Sequence, residues 1–319
     1  MSIESEITRI NNNIAATYTA LRAKGATMPG TENSANLAST VATVPSGGGG
    51  GGDPVNKVFE VNEGVLNKPT AAFSDNTFAG VTSVGNNGLE YAFYGCKNLT
   101  GSVSFPNLTT VGEKGLYNAF YGCTGLTGSV SFPELTTVSN EGLSLAFTNC
   151  AGLTTISFPK LNTVNNQGLN RAFSGCKGLT GSISFPELTT IGTNGLNYAF
   201  HSCIKLTEIH FPNLTLIGSY GLYYAFVGCT GLTGSVSFPK LNTVSSNGLN
   251  TAFSNCTNLT EIHFPALTTV QSNSFGNIFS GCTALTEIHF RADMKSTIEG
   301  LTGYSSKFGA ANATIYFDL

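Results

Sequence analysis

The chain has 319 residues, with 15 basic against 18 acidic side chains, and charged residues make up only 10% of it, well below the roughly 25% of an average domain. So small and balanced a charge leaves no footprint for nucleic acid and no acidic tail. Solubility must rest instead on the Ser, Thr, Asn and Gly that crowd between the apolar residues.

The first ten residues, MSIESEITRI, carry early acids and no continuous apolar run, so they read as neither a secretory signal nor a membrane span. Across residues 1–46, Ile3, Ile7, Ile10, Ile14 and Leu21 fall at alternating four- and three-residue steps, broken only by Thr17. This spacing predicts a short helical heptad seam. Ile at both core positions leans toward trimers or higher states, although Asn11, Asn12 and Asn13 leave three heptads marginal alone. A helix packed on a partner protein fits the pattern equally well. The segment is therefore expected to attach the chain to a virion or cell-surface anchor, or to oligomerise it as a homo-oligomer with a trimer in view. Residues 47–54 contain the unbroken run Gly47 to Gly52, a flexible tether.

Residues 55–77, with alternation from Val58 to Val61, are expected to cap the open end of an array that fills residues 78–290. Eight cysteines mark its copies, Cys96, Cys123, Cys150, Cys176, Cys203, Cys229, Cys256 and Cys282, at intervals of 26 or 27 residues. A period in this range means a solenoid, because one unit cannot bury its own apolar face and must stack on the next. Stacked coils set neighbouring cysteines about 4.8 Å apart with parallel side chains, which keeps the sulfurs too far apart for a disulfide. A buried thiol ladder is the expectation. Residues 291–319 replace the recurrent proline with Arg291, end in the alternating ATIYFDL, and are expected to cap the far end.

Within one coil, Leu116, Ala119, Phe120 and Cys123 form the apolar stripe of a short helix. Leu126, Val130 and Phe132 then predict a strand with alternate residues facing solvent, and Pro133, lacking a donor, ends its pairing. Leu135 and Val138 close the coil. Four coils carry GSVS or GSIS and are one residue longer than those with TEIH or TTIS, and the extra residue predicts a bulge.

The motif AFxxCxxL followed by LTxIxFPxLTxIG, clearest in AFSNCTNLTEIHFPALTTV from Ala252 to Val270, resembles the leucine-rich repeat of the BspA type, found in bacterial surface proteins. The resemblance covers residues 78–290. It implies an α/β repeat fold, a right-handed leucine-rich-repeat solenoid with a parallel sheet on one face and short helices, preceded by a helical amino-terminal segment. The amino-terminal segment and the ending FGAANATIYFDL are also similar to segments of prophage-encoded tail or fibre proteins of Gram-positive bacteria. That second resemblance implies a virion protein, which leaves by lysis and needs no signal peptide.

Two sets of outward residues are candidates for ligand contact. On the expected helices stand Tyr91, Tyr94, Tyr117, Tyr121, Tyr198, Tyr220, Tyr223 and Tyr224, and tyrosine supplies rigid area with a polar tip. On the strands, bland Ser and Thr give way in three coils to Glu208 and His210, Glu261 and His263, and Glu287 and His289. Such a ladder could in principle hold a divalent transition metal or serve acid–base work. Repeat duplication copies such pairs, and an exposed sheet face tolerates polar residues, so a solvated face open to a ligand is expected, with no metal and no cofactor.

No nucleophile elbow, HExxH or phosphate loop occurs, and GGGGGG lacks a following Lys and Ser or Thr. The expectation is a nonenzymatic recognition or adhesion protein for a cell-surface glycan or protein, in the specific form of a phage tail fibre or receptor-binding component, on the virion or the bacterial surface. The alternatives are a bacterial adhesin for host proteins or mucin, and a structural virion or envelope component with no external ligand.

Overall fold

The computed structural model describes residues 60–62, 65–67, 76–78 and 81–319. The heptad seam, the glycine run and most of residues 55–77 lie outside the described residues. The chain divides into two units, Met1–Ala71 and Ala72–Leu319. In the first, Glu60–Asn62 pairs antiparallel with Val65–Asn67, with Val61 opposite Leu66.

The second unit is a solenoid of parallel strands. One side carries the longer strands predicted from the LTxIxF pattern. Asn76–Thr77, Gly101–Ser104, Leu126–Ser131 and Thr155–Ser157 form one ribbon; Gly181–Ser184 and Leu206–His210 a second; and Gly234–Ser237, Leu259–Phe264, Glu287–Phe290 and Thr314–Phe317 a third. Another side carries an unbroken sheet of two-residue strands, running from Ser83–Val84 to Thr269–Val270. Where a longer coil pairs with the shorter one after it, the register shifts between Gly181 and Ser182 and between Gly234 and Ser235, and the residue skipped is Thr207 or Thr260 of the shorter coil rather than the extra residue of the longer one. Both gaps between ribbons lie where a shorter coil is followed by one of these longer coils. At the first gap Ile156, whose equivalents are buried, is left half-exposed, while Ile209 at the second stays buried.

The segment expected as a short helix takes another form. In the coil of Leu116 the amides of Leu116, Asn118 and Phe120 donate to Gly142, Ser144 and Ala146 of the next coil at 2.7 to 3.0 Å, while those of Tyr117 and Ala119 reach back three residues to Lys114 and Leu116 at 3.1 Å. Every fourth residue has a left-handed backbone: Lys114 at φ 52°, Asn118 at 53° and Gly122 at 68°. The result is a train of tight turns. A helix would keep its amides within its own coil, whereas this train gives alternate amides to its neighbour, so the turn side is hydrogen-bonded between coils much as the sheets are. The helical reading failed because i, i+3, i+4 and i+7 spacing also puts one face of the turn train inward.

The core between these walls is two phenylalanine ladders. One runs from Phe78 through Phe105, Phe132 and their successors to Phe317, with consecutive centroids 4.3 to 6.1 Å apart. The other runs from Phe93 to Phe279 at 4.8 to 6.4 Å. They meet edge to face, as at Phe158 and Phe173. Such pairs add about 0.5 to 1.5 kcal/mol each beyond their buried area. Beside them stand the eight cysteines, all buried and none in a disulfide. Each Sγ from Cys123 onward donates to a phenylalanine carbonyl of the preceding coil, as Cys150 does to Phe120 at 3.0 Å.

Beyond Phe290 the chain makes short helical turns at Ala292–Met294, Lys295–Glu299 and Tyr304–Gly309, which bury Met294, Ile298 and Phe308. It then returns as Thr314–Phe317, parallel to Glu287–Phe290, with His289 opposite Tyr316. Among the described residues no helix is long and apolar enough to cross a membrane.

Candidate functional site

In the turn train the recurrent Leu, Ala and Phe, replaced in the last coil by Phe275, Ile278 and Phe279, point in, and the eight candidate tyrosines, all exposed or half-buried, lie between them on the outer side, on turns rather than helices. The structure gathers them into two islands. In the first, Tyr91 meets Tyr94 at 5.8 Å and Tyr117 edge-on at 5.7 Å, while Tyr94 stacks on Tyr121 at 5.0 Å. In the second, Tyr198 stacks on Tyr224 at 4.7 Å, Tyr223 stands edge-on to Tyr224 at 4.4 Å, and Tyr220 lies edge-on to Tyr223 at 5.3 Å. Between the islands the same positions hold Ser144, Leu145, Asn170 and Arg171.

Tyr91, Tyr94 and Tyr220 are exposed at 50%, 42% and 40%, and the other five are half-buried. Each stacked pair hides one face of each ring, so the islands present ring edges, hydroxyls and single open faces. Burial, with a hydrogen bond to Tyr224, pushes the Tyr223 hydroxyl up to about 12. Burial also raises Tyr91 and Tyr198. These hydroxyls therefore remain donors at neutral pH.

Two neighbours of the second island were not among the sequence candidates. Arg171 lays its guanidinium 4.6 Å from the Tyr198 ring centre, and His201 lies 5.6 Å from the same ring. Burial, and then the charge of Arg171, hold His201 below the usual imidazole range, so it is neutral and shares a 3.0 Å contact with Ser202. Arg171 stands one coil before Tyr198, and aligning the coils by column would have exposed the pairing.

The Glu and His candidates separate into two situations. Glu208 and His210 pair with each other alone, 3.1 Å apart and more than half exposed, because their strand ends a ribbon and its other neighbour offers serines. Glu261, His263, Glu287 and His289 converge. In-register pairing sets Glu261 beside Glu287 and His263 beside His289, and the two imidazoles stack at 4.6 Å. His263 Nε2 lies 2.9 Å from Glu261 Oε1, and His289 Nε2 lies 3.1 Å from Glu287 and 3.4 Å from Glu261. The returning tail adds what the sequence did not reveal: Asp318 accepts from His289 Nδ1 at 2.9 Å, and Tyr316 stacks on the other side of the ring at 4.8 Å. Burial opposes the charge on His289, but Asp318, Glu287 and Glu261 outweigh it and hold its pKa above the ordinary value.

A family model described as a BspA-type leucine-rich repeat region matches residues 82–221 and 196–301 in six copies. No curated protein matches the chain. Among solved structures, a leucine-rich cell surface protein of Faecalibacterium prausnitzii is 16% identical over 70% of this chain and 76% of that one, with a TM-score of 0.35. A leucine-rich repeat protein of Bacteroides ovatus is 20% identical over 74% and 66%, with a TM-score of 0.35. One of T. pallidum is 21% identical over 74% and 79%, again at 0.35.

Proposed function

The chain belongs to the BspA-type leucine-rich repeat family, and from that premise we propose that it is a nonenzymatic recognition protein that holds a cell-surface glycan or protein on the turn face of its solenoid. One observation carries the reading: eight of the eleven tyrosines gather on one outward face, as two islands separated by about two coils. Core packing does not require them, since Ser144, Leu145, Asn170 and Thr251 occupy equivalent positions. Tyrosine clusters with a flanking arginine are typical of contact surfaces, giving area at small entropic cost. Fixed on a stacked backbone, they lose little freedom on binding.

The narrower form of the proposal is a phage tail fibre or receptor-binding component, on the virion, with residues 1–46 attaching or oligomerising it. Its support is the resemblance of the two ends of the chain to prophage tail and fibre proteins. The family itself, found in bacterial surface proteins, supports the broader form, adhesion at the bacterial surface.

The test is retention of the full chain on whole bacterial cells, on a glycan panel and on immobilised matrix proteins and mucin. Specific retention on at least one surface is expected, and retention on bacterial cells favours the tail-fibre form over an adhesin for host proteins. No retention on any of them would move the protein to a structural role within an assembly.

A further inference from the structure

At the carboxyl-terminal end of the long-strand side, Glu261, His263 and His289 place one oxygen and two nitrogens within 4.8 Å of one another. Tetrahedral zinc with bonds near 2.0 to 2.1 Å requires donor atoms about 3.3 to 3.4 Å apart. Of the separations from Glu261 Oε1, 3.4 Å to His289 Nε2 meets that value, and 2.9 Å to His263 Nε2 falls short of it and must open slightly. Glu287 stands 3.1 Å from His289 Nε2, in reach of a fourth position.

The second observation is the partner of the other ring nitrogen. A carboxylate can only accept, so Asp318 accepts from the proton on His289 Nδ1, and in the metal-free chain Glu287 accepts from Nε2 at 3.1 Å; an ion at Nε2 displaces that second proton, since a ligand imidazole must be neutral. Metal-ligating imidazoles are oriented by a carboxylate in this way, which also raises their basicity as ligands. The surroundings leave room for an ion to arrive: the side chains of Glu261 and His263 are 34% and 24% exposed, against 10% for His289. The rings lie 14° from parallel, so they must tilt toward one point. The more exposed His263 makes most of that movement, because His289 is held between His263 and Tyr316.

We propose that Glu261, His263 and His289 form a binding site for a divalent transition metal of zinc's class, with Glu287 or water completing the shell and Asp318 as positioning residue. Two imidazole nitrogens select such a metal over calcium or magnesium, which prefer all-oxygen shells. The buried cysteines do not compete, since they are closed off from solvent. The metal would pin the strand Leu259–Phe264 to Glu287–Phe290 and, through Asp318, to the tail; where water rather than Glu287 holds the fourth position, a carboxylate or imidazole of a ligand could replace it.

The experiment is calorimetric titration of zinc chloride into the chelator-stripped full chain under reducing conditions, with His263→Ala, His289→Ala, Asp318→Asn and His210→Ala beside it. The site predicts one zinc per chain, bound at least about 100-fold more weakly after loss of either ligand histidine and about 10- to 100-fold more weakly in Asp318→Asn. His210→Ala, which changes the isolated Glu–His pair, should bind as the parent does. Melting curves check folding, and the half-exposed His263 keeps the test open should His289→Ala fail to fold. No zinc binding by the parent, or undiminished binding by folded His263→Ala, would overturn the proposal.

Discussion

The thiols and one imidazole carry the residue-scale consequences. Cys176, Cys229 and Cys282 are each pushed up to about 12 by burial, and burial raises Cys150, Cys203 and Cys256 as well. The thiolate is the reactive form, so Ellman titration of native protein should find none of the eight thiols, and titration in denaturant all eight. Rapid reaction of the native protein would contradict their burial. His289 sets a pH dependence in the metal-free chain. Its folded pKa is raised by Asp318, Glu287 and Glu261 against the opposing effect of burial. Its stabilisation is then fully present below the unfolded value of about 6.5 and is lost as pH rises through the folded value. With chelator present, the parent should lose more melting temperature between about pH 6 and pH 8 than His289→Asn does, and equal losses would exclude this linkage. The glutamates and histidines of this cluster were visible in the sequence as a repeated column. Asp318 and Tyr316 were not, because the tail lacks the repeat motif and only its parallel pairing with Glu287–Phe290 brings them to His289.

At the scale of elements, the strands were legible because alternation between buried and outward residues has one structural meaning, and the turn train was not because its inward spacing has two. Its distinguishing mark is the residue at every fourth position, where Asn and Gly recur: Asn87 and Gly95, Asn118 and Gly122, Asn247 and Asn255 all have positive φ. Asn and Gly tolerate that conformation best. Tyr91, Tyr198, Tyr220 and Tyr224 occupy it too, a conformation that costs a bulky side chain of order 1 kcal/mol or more. Tyrosine there opposes local preference, which is consistent with selection for contact over stability. Close approach between coils sets a second constraint: a Cβ on Gly125 would fall 2.2 Å from the Lys97 carbonyl oxygen. Gly125→Ala should therefore lower the melting temperature clearly although the site is small, and an unchanged melt would contradict the spacing of those turns. Phe200, between Phe173 and Phe226 in one ladder and against Phe185 of the other, should cost about 3 to 5 kcal/mol as alanine, read from denaturant unfolding.

For the whole molecule, stacking is the source of stability, since each coil contributes few contacts of its own and each neighbour supplies the rest. The 26- or 27-residue period made this architecture legible from the sequence. The division of the long-strand side into three ribbons is harder to read, because it arises from the order of longer and shorter coils and not from any coil alone. Residues 1–46 carry the proposed attachment and oligomerisation role, so their removal should abolish oligomers seen by light scattering of the full chain, and persistence would refute the heptad argument. The recognition role turns on the tyrosine face, and it is tested most directly by binding of the full chain to whole cells beside a variant with Tyr117, Tyr121, Tyr223 and Tyr224 replaced by alanine. The account predicts that the variant still melts cooperatively and loses binding at least about tenfold, the equivalent of 1.4 kcal/mol. A folded variant that binds as the parent does would contradict the assignment of the turn face as the recognition surface.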